Sequence, residues 1–373
     1  MRCPPLGAYI HIPWCERKCP YCDFNSHEAA RIPEDAYVDA LLDDLRDEYA
    51  GESRPLQSVF IGGGTPSLFS VEAIARLLDG LHSLARVAEG AEITLEANPG
   101  STESARLAGY ARAGVTRFSI GVQSFDDGAL RRLGRVHDGT GARAALAAAA
   151  ASGAASFNID LMHGLPEQRV EDGLGDLARG RAAPHLSWYQ LTIERNTRFY
   201  SDPPQLPAEE QLGELEERGA AKLAAAGFRR YEISAWARPG QECRHNLNYW
   251  RFGDYLGIGA GAHGKLTGGD GRILRYAKTR QPADYLAPGG RARRGLRELR
   301  EADRRGEFAM NALRLREGFS RELFEERTGL GADCLAPITA PLARDGLLYD
   351  DERGLRCSAL GWRFLDEVVG RFF

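Results

Sequence analysis

No stretch of the chain approaches the roughly 18 consecutive apolar residues that a membrane-spanning helix needs. The opening Met1-Arg2-Cys3-Pro4-Pro5-Leu6 runs into a strand-like stretch without the apolar core of a secretory leader. Stable membrane insertion and export are therefore not expected, and the expectation is a soluble, cytoplasmic protein. Strong charge of one sign is also missing: the formal net charge is −4 over 373 residues. No run of Lys and Arg with interleaved aromatics offers a surface for nucleic acid, which is not an expected partner. The cysteines lack the even count of a disulfide framework. Seven are present, and Cys15, Cys19 and Cys22 fall within eight positions. That suits metal ligation in a reducing compartment better than disulfides. Cys3, Cys243, Cys334 and Cys357 are scattered and read as free thiols.

A chain of this length can bury a full core, and one large domain plus a small one is expected. Short β-rich runs recur at Ala8–Pro13, Ser58–Ile61, Glu92–Ala97, Arg117–Gly121, Ser156–Met162 and Leu186–Thr192. Helical patterns separate them, such as Ala36–Tyr49 with Leu41, Leu42 and Leu45 on one face, and the Ala-dense Ala142–Ala155. Alternation of this kind predicts βα units on a parallel sheet. Six strands predict an α/β fold, a partial (βα)6 barrel, with chemistry at the carboxyl ends of the strands. Residues 1–280 form this first domain.

After about Arg280 the composition shifts, and Pro282, Pro288-Gly289-Gly290 and the following arginines read as a linker. Residues 281–373 then show helical patterns at Phe308–Arg314, Arg321–Thr328 and Leu335–Asp345. A hairpin around Asp350–Gly354 and a last helix through Trp362–Val369 follow. The order predicts a small winged-helix-like α+β domain. A structural cap is preferred over a DNA reader, because the second helix is not notably basic.

Cys15-x3-Cys19-x2-Cys22 is the strongest signal in the chain. A four-iron cluster usually takes four thiolates, so three in one loop leave an iron open to a small chelating molecule. The amino and carboxylate groups of S-adenosylmethionine (SAM) are such a chelate. A zinc site with His11 or His27 as fourth ligand is the alternative, but no second Cys or His pair completes the usual knuckle. Tyr21, between two ligands, can lie against an adenine or simply pack. Gly63, Gly64 and Thr65 follow a strand, and a glycine turn lets backbone approach a ligand closely. No Gly-Lys-Ser/Thr follows, so a phosphate loop is not expected.

Tyr9-Ile-His-Ile-Pro-Trp-Cys15 through Cys19-Pro-Tyr21-Cys22-Asp-Phe24-Asn-Ser-His27 resembles the opening of radical SAM proteins related to oxygen-independent coproporphyrinogen III oxidase. The likeness continues through Gly62-Gly-Gly-Thr-Pro, Leu95-Glu96-Ala-Asn-Pro-Gly, Ser119-Ile-Gly-Val-Gln123-Ser-Phe, Asn158-Ile-Asp160-Leu-Met-His-Gly-Leu-Pro166 and His245-Asn-Leu-Asn-Tyr-Trp250. It covers nearly the whole chain and is greatest to the HemW-type haem chaperones. The resemblance implies a [4Fe-4S] cluster on the three cysteines and SAM contacts at Tyr9, Gly63, Glu96, Gln123, Arg135 and Asp160. Taken alone, a strand-end acid such as Glu96 or Asp160 is often only a loop cap.

Two departures from the oxidases stand out: Phe24 where they continue Cys-x-Cys, and only eight residues before Tyr9 where they carry a longer segment. His245-Asn-Leu-Asn-Tyr-Trp250 is similar to the HNxxYW motif associated with haem handling. It offers an imidazole for iron beside aromatic rings able to stack on a porphyrin. Packing is the other reading of His245, Cys243 is a rival ligand, and His263 in Gly261-Ala-His-Gly264 reads as held in a glycine turn. The resemblance thus implies a haem carrier rather than an oxidase. Its partners are haem and an acceptor protein, with respiratory haem proteins among the candidates.

Overall fold

The computed structural model describes residues 3–373, the side chains of Ser101 and Thr102 excepted; Met1 and Arg2 of the N-terminal reading lie outside it. The strands of the main sheet are β1 (Leu6–Ile12), β2 (Leu56–Gly63), β3 (Val87–Ala97), β4 (Arg117–Gln123), β5 (Ser156–His163) and β6 (His185–Gln190). They continue with β7 (Arg229–Glu232), β8 (Ala235–Ala237), β9 (Asp254–Ile258), β10 (His263–Thr267), β11 (Ile273–Ala277) and β12 (Arg294–Glu298). Their spatial order is β12-β11-β10-β9-β1-β2-β3-β4-β5-β6-β8-β7. The first six are parallel neighbours in chain order, as the alternating pattern predicts. The fold is α/β, built on that sheet.

These strands read as near-continuous apolar runs because both faces are covered. One core runs through them, with Ile10, Val59, Leu95, Ile120, Ile159 and Leu186 taken from successive strands. Helices return the chain, and their starts are set locally. Ser70 caps Val71–Leu84 through the Ala73 N–H, and Asp138 caps Gly139–Ala151 through the Gly141 N–H. The Ala-rich segment is a helix that buries Ala142, Ala145 and Ala149 at helical spacing, letting it pack closely.

Two extensions of the sheet were not expected from the sequence. β9 lies parallel to β1 on its outer side, so β1 is an interior strand. Beyond β9 run the antiparallel β10, β11 and β12, while β8 and β7 extend the other edge. The stretch read as a linker holds the helix Pro282–Leu286, and β12 after it still belongs to the main sheet. The small C-terminal region comprises Glu301–Ala312, Arg321–Thr328, Ala336–Arg344, the hairpin β13 (Leu348–Asp351)–β14 (Gly354–Cys357) and two short helices. Its core of Phe308, Phe319, Phe324 and Trp362 also takes in Phe252 and Ile273 from the sheet side.

Candidate functional site

Five adjacent strands deliver polar side chains to one cavity of about 140 Å³ at their carboxyl ends. β2 ends at Gly63, β3 carries Glu96, β4 ends at Gln123, β5 carries Asp160 and β6 carries Tyr189, all of them lining it. Cys15, Cys19 and Cys22 form the facing wall, with Tyr21, Gly64, Thr65 and Arg135. Of the residues expected to hold the cluster, SAM or haem, Tyr9 and His245 lie outside this lining, as do the alternative ligands His11, His27, Cys243 and His263. Asn98, Ser119 and Tyr189 are lining residues to which sequence reasoning gave no role. Asn98 was visible in the Glu96-Ala-Asn98-Pro motif as a polar residue past a strand end.

The cysteine loop is anchored before any metal enters. Trp14–Cys15 pairs with His27–Glu28, and the Cys22 N–H donates to the Cys19 carbonyl at 3.1 Å. The glycine turn is stitched beneath it: Gly64 N–H donates to the Ile12 carbonyl at 2.8 Å and Thr65 N–H to the Trp14 carbonyl at 2.7 Å. Gly63 N–H donates to Glu96 Oε2 at 3.0 Å. The backbone N–H groups expected to be open to a ligand are thus already partnered. The glycines serve close approach instead. Gly63 has φ +118° and a Cβ there would meet the His11 ring at 2.4 Å, and one on Gly64 would meet the Trp14 carbonyl at 2.4 Å.

Two donors point at the sulfurs. Thr65 Oγ1 donates to Cys15 Sγ at 3.5 Å and Arg135 Nη1 to Cys19 Sγ at 3.5 Å. Arg135 also donates to Asn98 Oδ1 at 2.5 Å and to the Gly121 carbonyl at 2.8 Å. Its buried Nε has no partner, and among the described residues no carboxylate lies within ion-pair distance of it. An unneutralised guanidinium beside three thiols fits a thiolate-ligated cluster, whose negative charge would offset it. Burial pushes the Cys15 and Cys22 thiols up, so a metal displaces protons on binding. Among the described residues, no three His, Cys, Asp or Glu side chains converge tightly enough for a single ion. A four-iron cluster does not require convergence, since each thiolate takes a different iron. The zinc alternative also loses His11, whose ring nitrogens are engaged by Tyr9 Oη at 2.9 Å and the Asn25 carbonyl at 2.8 Å.

The acids of the cavity sit in an environment that disfavours charge. Burial raises Glu96 to about 7, opposed by the Gly63 N–H and reinforced by Asp160. Burial also raises Asp160, although Ser119 donates to it at 3.1 Å and Asn158 at 2.8 Å. Gln123 is held at φ +67° and accepts from Tyr189 Oη at 3.1 Å. Two carboxyl groups whose pKa burial raises, beside a cation, suit a zwitterionic ligand with ammonium and hydroxyl donors.

His245 stands elsewhere. It lies in the helix Arg244–Trp250, is 1% exposed, and shares a 2.8 Å hydrogen bond between Nδ1 and Ser58 Oγ. Its Nε2 is buried without a partner, and burial lowers its pKa to about 3. Phe60 stacks on the imidazole at 5.2 Å, Tyr249 meets it edge to face at 4.7 Å, and Tyr255 meets Tyr249 edge to face at 4.5 Å. In this conformation the imidazole is enclosed among these rings, with Nε2 directed at no partner. Cys243 is buried as well, pushed up to about 12 by burial and by Glu92. Trp250 packs under the Arg314 guanidinium at 4.3 Å, joining this helix to the C-terminal region. Tyr9 lines a neighbouring cavity with Tyr249, Tyr255 and His263, and that cavity shares Phe24, Gly63 and Glu96 with the first.

Comparison with known proteins agrees with this geometry. The profile of the radical SAM superfamily matches residues 9–177, and that of the HemN C-terminal domain matches residues 299–364. A protein of Escherichia coli K12 named haem chaperone HemW is 49% identical over 376 residues, covering 100% of this chain and 99% of its own. A namesake from Haemophilus influenzae is 46% identical, covering 99% and 98%. The solved structure of coproporphyrinogen III oxidase (HemN) from Escherichia coli, a radical SAM enzyme, superimposes with a TM-score of 0.84 at 26% identity. It covers 99% of this chain and 90% of that one.

Proposed function

Because the chain belongs to the HemW family of radical SAM haem chaperones, we propose that it binds haem and passes it to an acceptor protein while carrying a SAM-coordinated [4Fe-4S] cluster. The observation that carries this reading is full-length likeness to haem chaperones, together with a cavity that gathers the cysteine loop and the strand-end polar residues. Cys15, Cys19 and Cys22 hold the cluster in this reading. Arg135 and Thr65 place donors on two of the sulfurs, and Glu96, Gln123 and Asp160 meet the ammonium and hydroxyl groups of SAM. When bound, the cluster offers its open iron to the amino and carboxylate groups of SAM and supplies an electron to it. Tyr21, Gly63 and Gly64 shape the wall on which the adenosyl part rests, and Tyr9 faces the cavity next door.

Haem is the cargo, and the acceptor is a haem protein. No helix among the described residues is long and apolar enough to cross a membrane. His245 acts as a packing residue that fixes the aromatic wall of Tyr249 and Tyr255. Titration of the anaerobically reconstituted chain with ferric haem tests the reading. Saturation at one haem per chain, with the cluster absorbance retained, is expected; absence of stoichiometric uptake by an intact cluster protein overturns it.

A further inference from the structure

We propose that the haem iron is ligated by His263, in the cavity of about 600 Å³ that adjoins the cluster pocket. This rests on the haem-carrier reading and gives it a site. The volume lies within the range of roughly 300–1,000 Å³ usual for ligand pockets. Its lining is partly aromatic, with Tyr9, Tyr249 and Tyr255 in it and the 62%-exposed Phe24 at the boundary with the cluster cavity.

His263 is the imidazole in this cavity that is free to bind. It opens β10 with an exposed side chain, and among the described residues neither ring nitrogen has a hydrogen-bond partner. His11, the other histidine of the lining, has both nitrogens engaged. The exposed Arg280 lines the same cavity without a carboxylate partner among the described residues, and is placed for a propionate. Lys278 does not compete for that role, since Asp44 and Glu48 hold its ammonium at 2.7 and 2.6 Å.

The turn before His263 is rigid, as a ligand position should be. Gly259 N–H donates to Asp44 Oδ2, Ala260 N–H to Tyr37 Oη, and Gly261 N–H to the Thr279 carbonyl. Asn25, from the cysteine loop, donates through Nδ2 to the Ala260 and Arg280 carbonyls at 3.0 and 2.9 Å. Gly261, at φ +86°, permits this approach, because a Cβ there would meet Asn25 Nδ2 at 2.3 Å. The cysteine loop and the His263 turn are thus one braced unit, which puts the haem beside the SAM site.

Haem titration of the full-length wild type, His263→Ala, Arg280→Ala and His245→Phe, followed by the Soret band, tests the assignment. His263→Ala should shift the Soret maximum and weaken binding at least tenfold, with melting temperature and cluster absorbance unchanged and millimolar imidazole restoring the band. Arg280→Ala should weaken binding severalfold without moving the band. A His263→Ala protein with the wild-type band and affinity overturns the proposal, as does a change of band in His245→Phe alone. A wild type that takes up no haem overturns both this and the carrier reading, and is distinguishable from either result.

Discussion

The cavity at the carboxyl ends of the strands and the helix Arg244–Trp250 both attract attention in the sequence as ligand sites, yet they are built in opposite ways. Around the cavity, a cation lacks a counter-ion, donors point at sulfurs, and burial raises the pKa of two acids. Around His245, every ring has a ring against it and the imidazole is closed off. Each keeps a buried nitrogen without a partner, Arg135 Nε in the one and His245 Nε2 in the other, so what separates them is the company: charge and donors aimed at sulfur around the cavity, aromatic rings around the histidine. His263, exposed and unpartnered, resembles the first region more than the second.

Replacing Cys15, Cys19 and Cys22 together by Ala has the largest expected effect. Iron and sulfide content after reconstitution should fall to background while the far-ultraviolet circular dichroism stays that of the wild type; retained iron breaks the assignment of the cavity. His245→Ala removes a buried ring and leaves Ser58 without its partner, and should cost about 2–4 kcal/mol in urea unfolding. A variant as stable as the wild type contradicts the packed reading of that region.

Opposite pH signatures sharpen the contrast further. Glu96 has a folded pKa of about 7 against about 4.3 in an unfolded chain. The folded state keeps a proton that the unfolded chain releases, so stability falls as pH rises across that window. His245 has a folded pKa of about 3 against about 6.5 unfolded. The unfolded chain takes up a proton that the folded one refuses, so stability is lost as pH falls below that upper value. Urea midpoints of the cluster-free chain should show Glu96→Gln gaining on the wild type as pH rises towards about 7, and His245→Gln gaining as pH falls. Equal slopes in both variants and the wild type would remove the distinction. Phe24→Ala has the smallest expected effect on stability, within about 0.5 kcal/mol, because the ring is exposed at the cavity mouth.

Much of this was legible in the chain itself. The six parallel strands and the C-terminal order of helices and hairpin follow the periodic pattern, although the helix expected over Phe308–Arg314 starts earlier, at Glu301, and the last helix is broken into Ala359–Arg363 and Leu365–Gly370. The cysteine spacing and the strand-end residues from Gly63 to Asp160 meet in one cavity because a parallel sheet brings carboxyl ends together. β12 was missed for a physical reason: Arg294–Glu298 is exposed throughout, so no apolar alternation betrays it. The pairing of β9 with β1 joins residues some 250 positions apart, which local pattern does not encode. The burial of His245 depends on Ser58 and Phe60 of a distant strand, and the stitching of Gly64 and Thr65 on the backbone of Ile12 and Trp14. Neither relation leaves a mark on the sequence around the residue concerned.

Carrier and catalyst part most directly in one anaerobic measurement. The haem-loaded, cluster-reconstituted chain is incubated with SAM, a reductant and coproporphyrinogen III, and the tetrapyrroles are then separated and quantified. The account predicts that one intact haem per chain is recovered and that no protoporphyrinogen forms; multiple turnovers to protoporphyrinogen, or haem that does not remain with the protein, would contradict it.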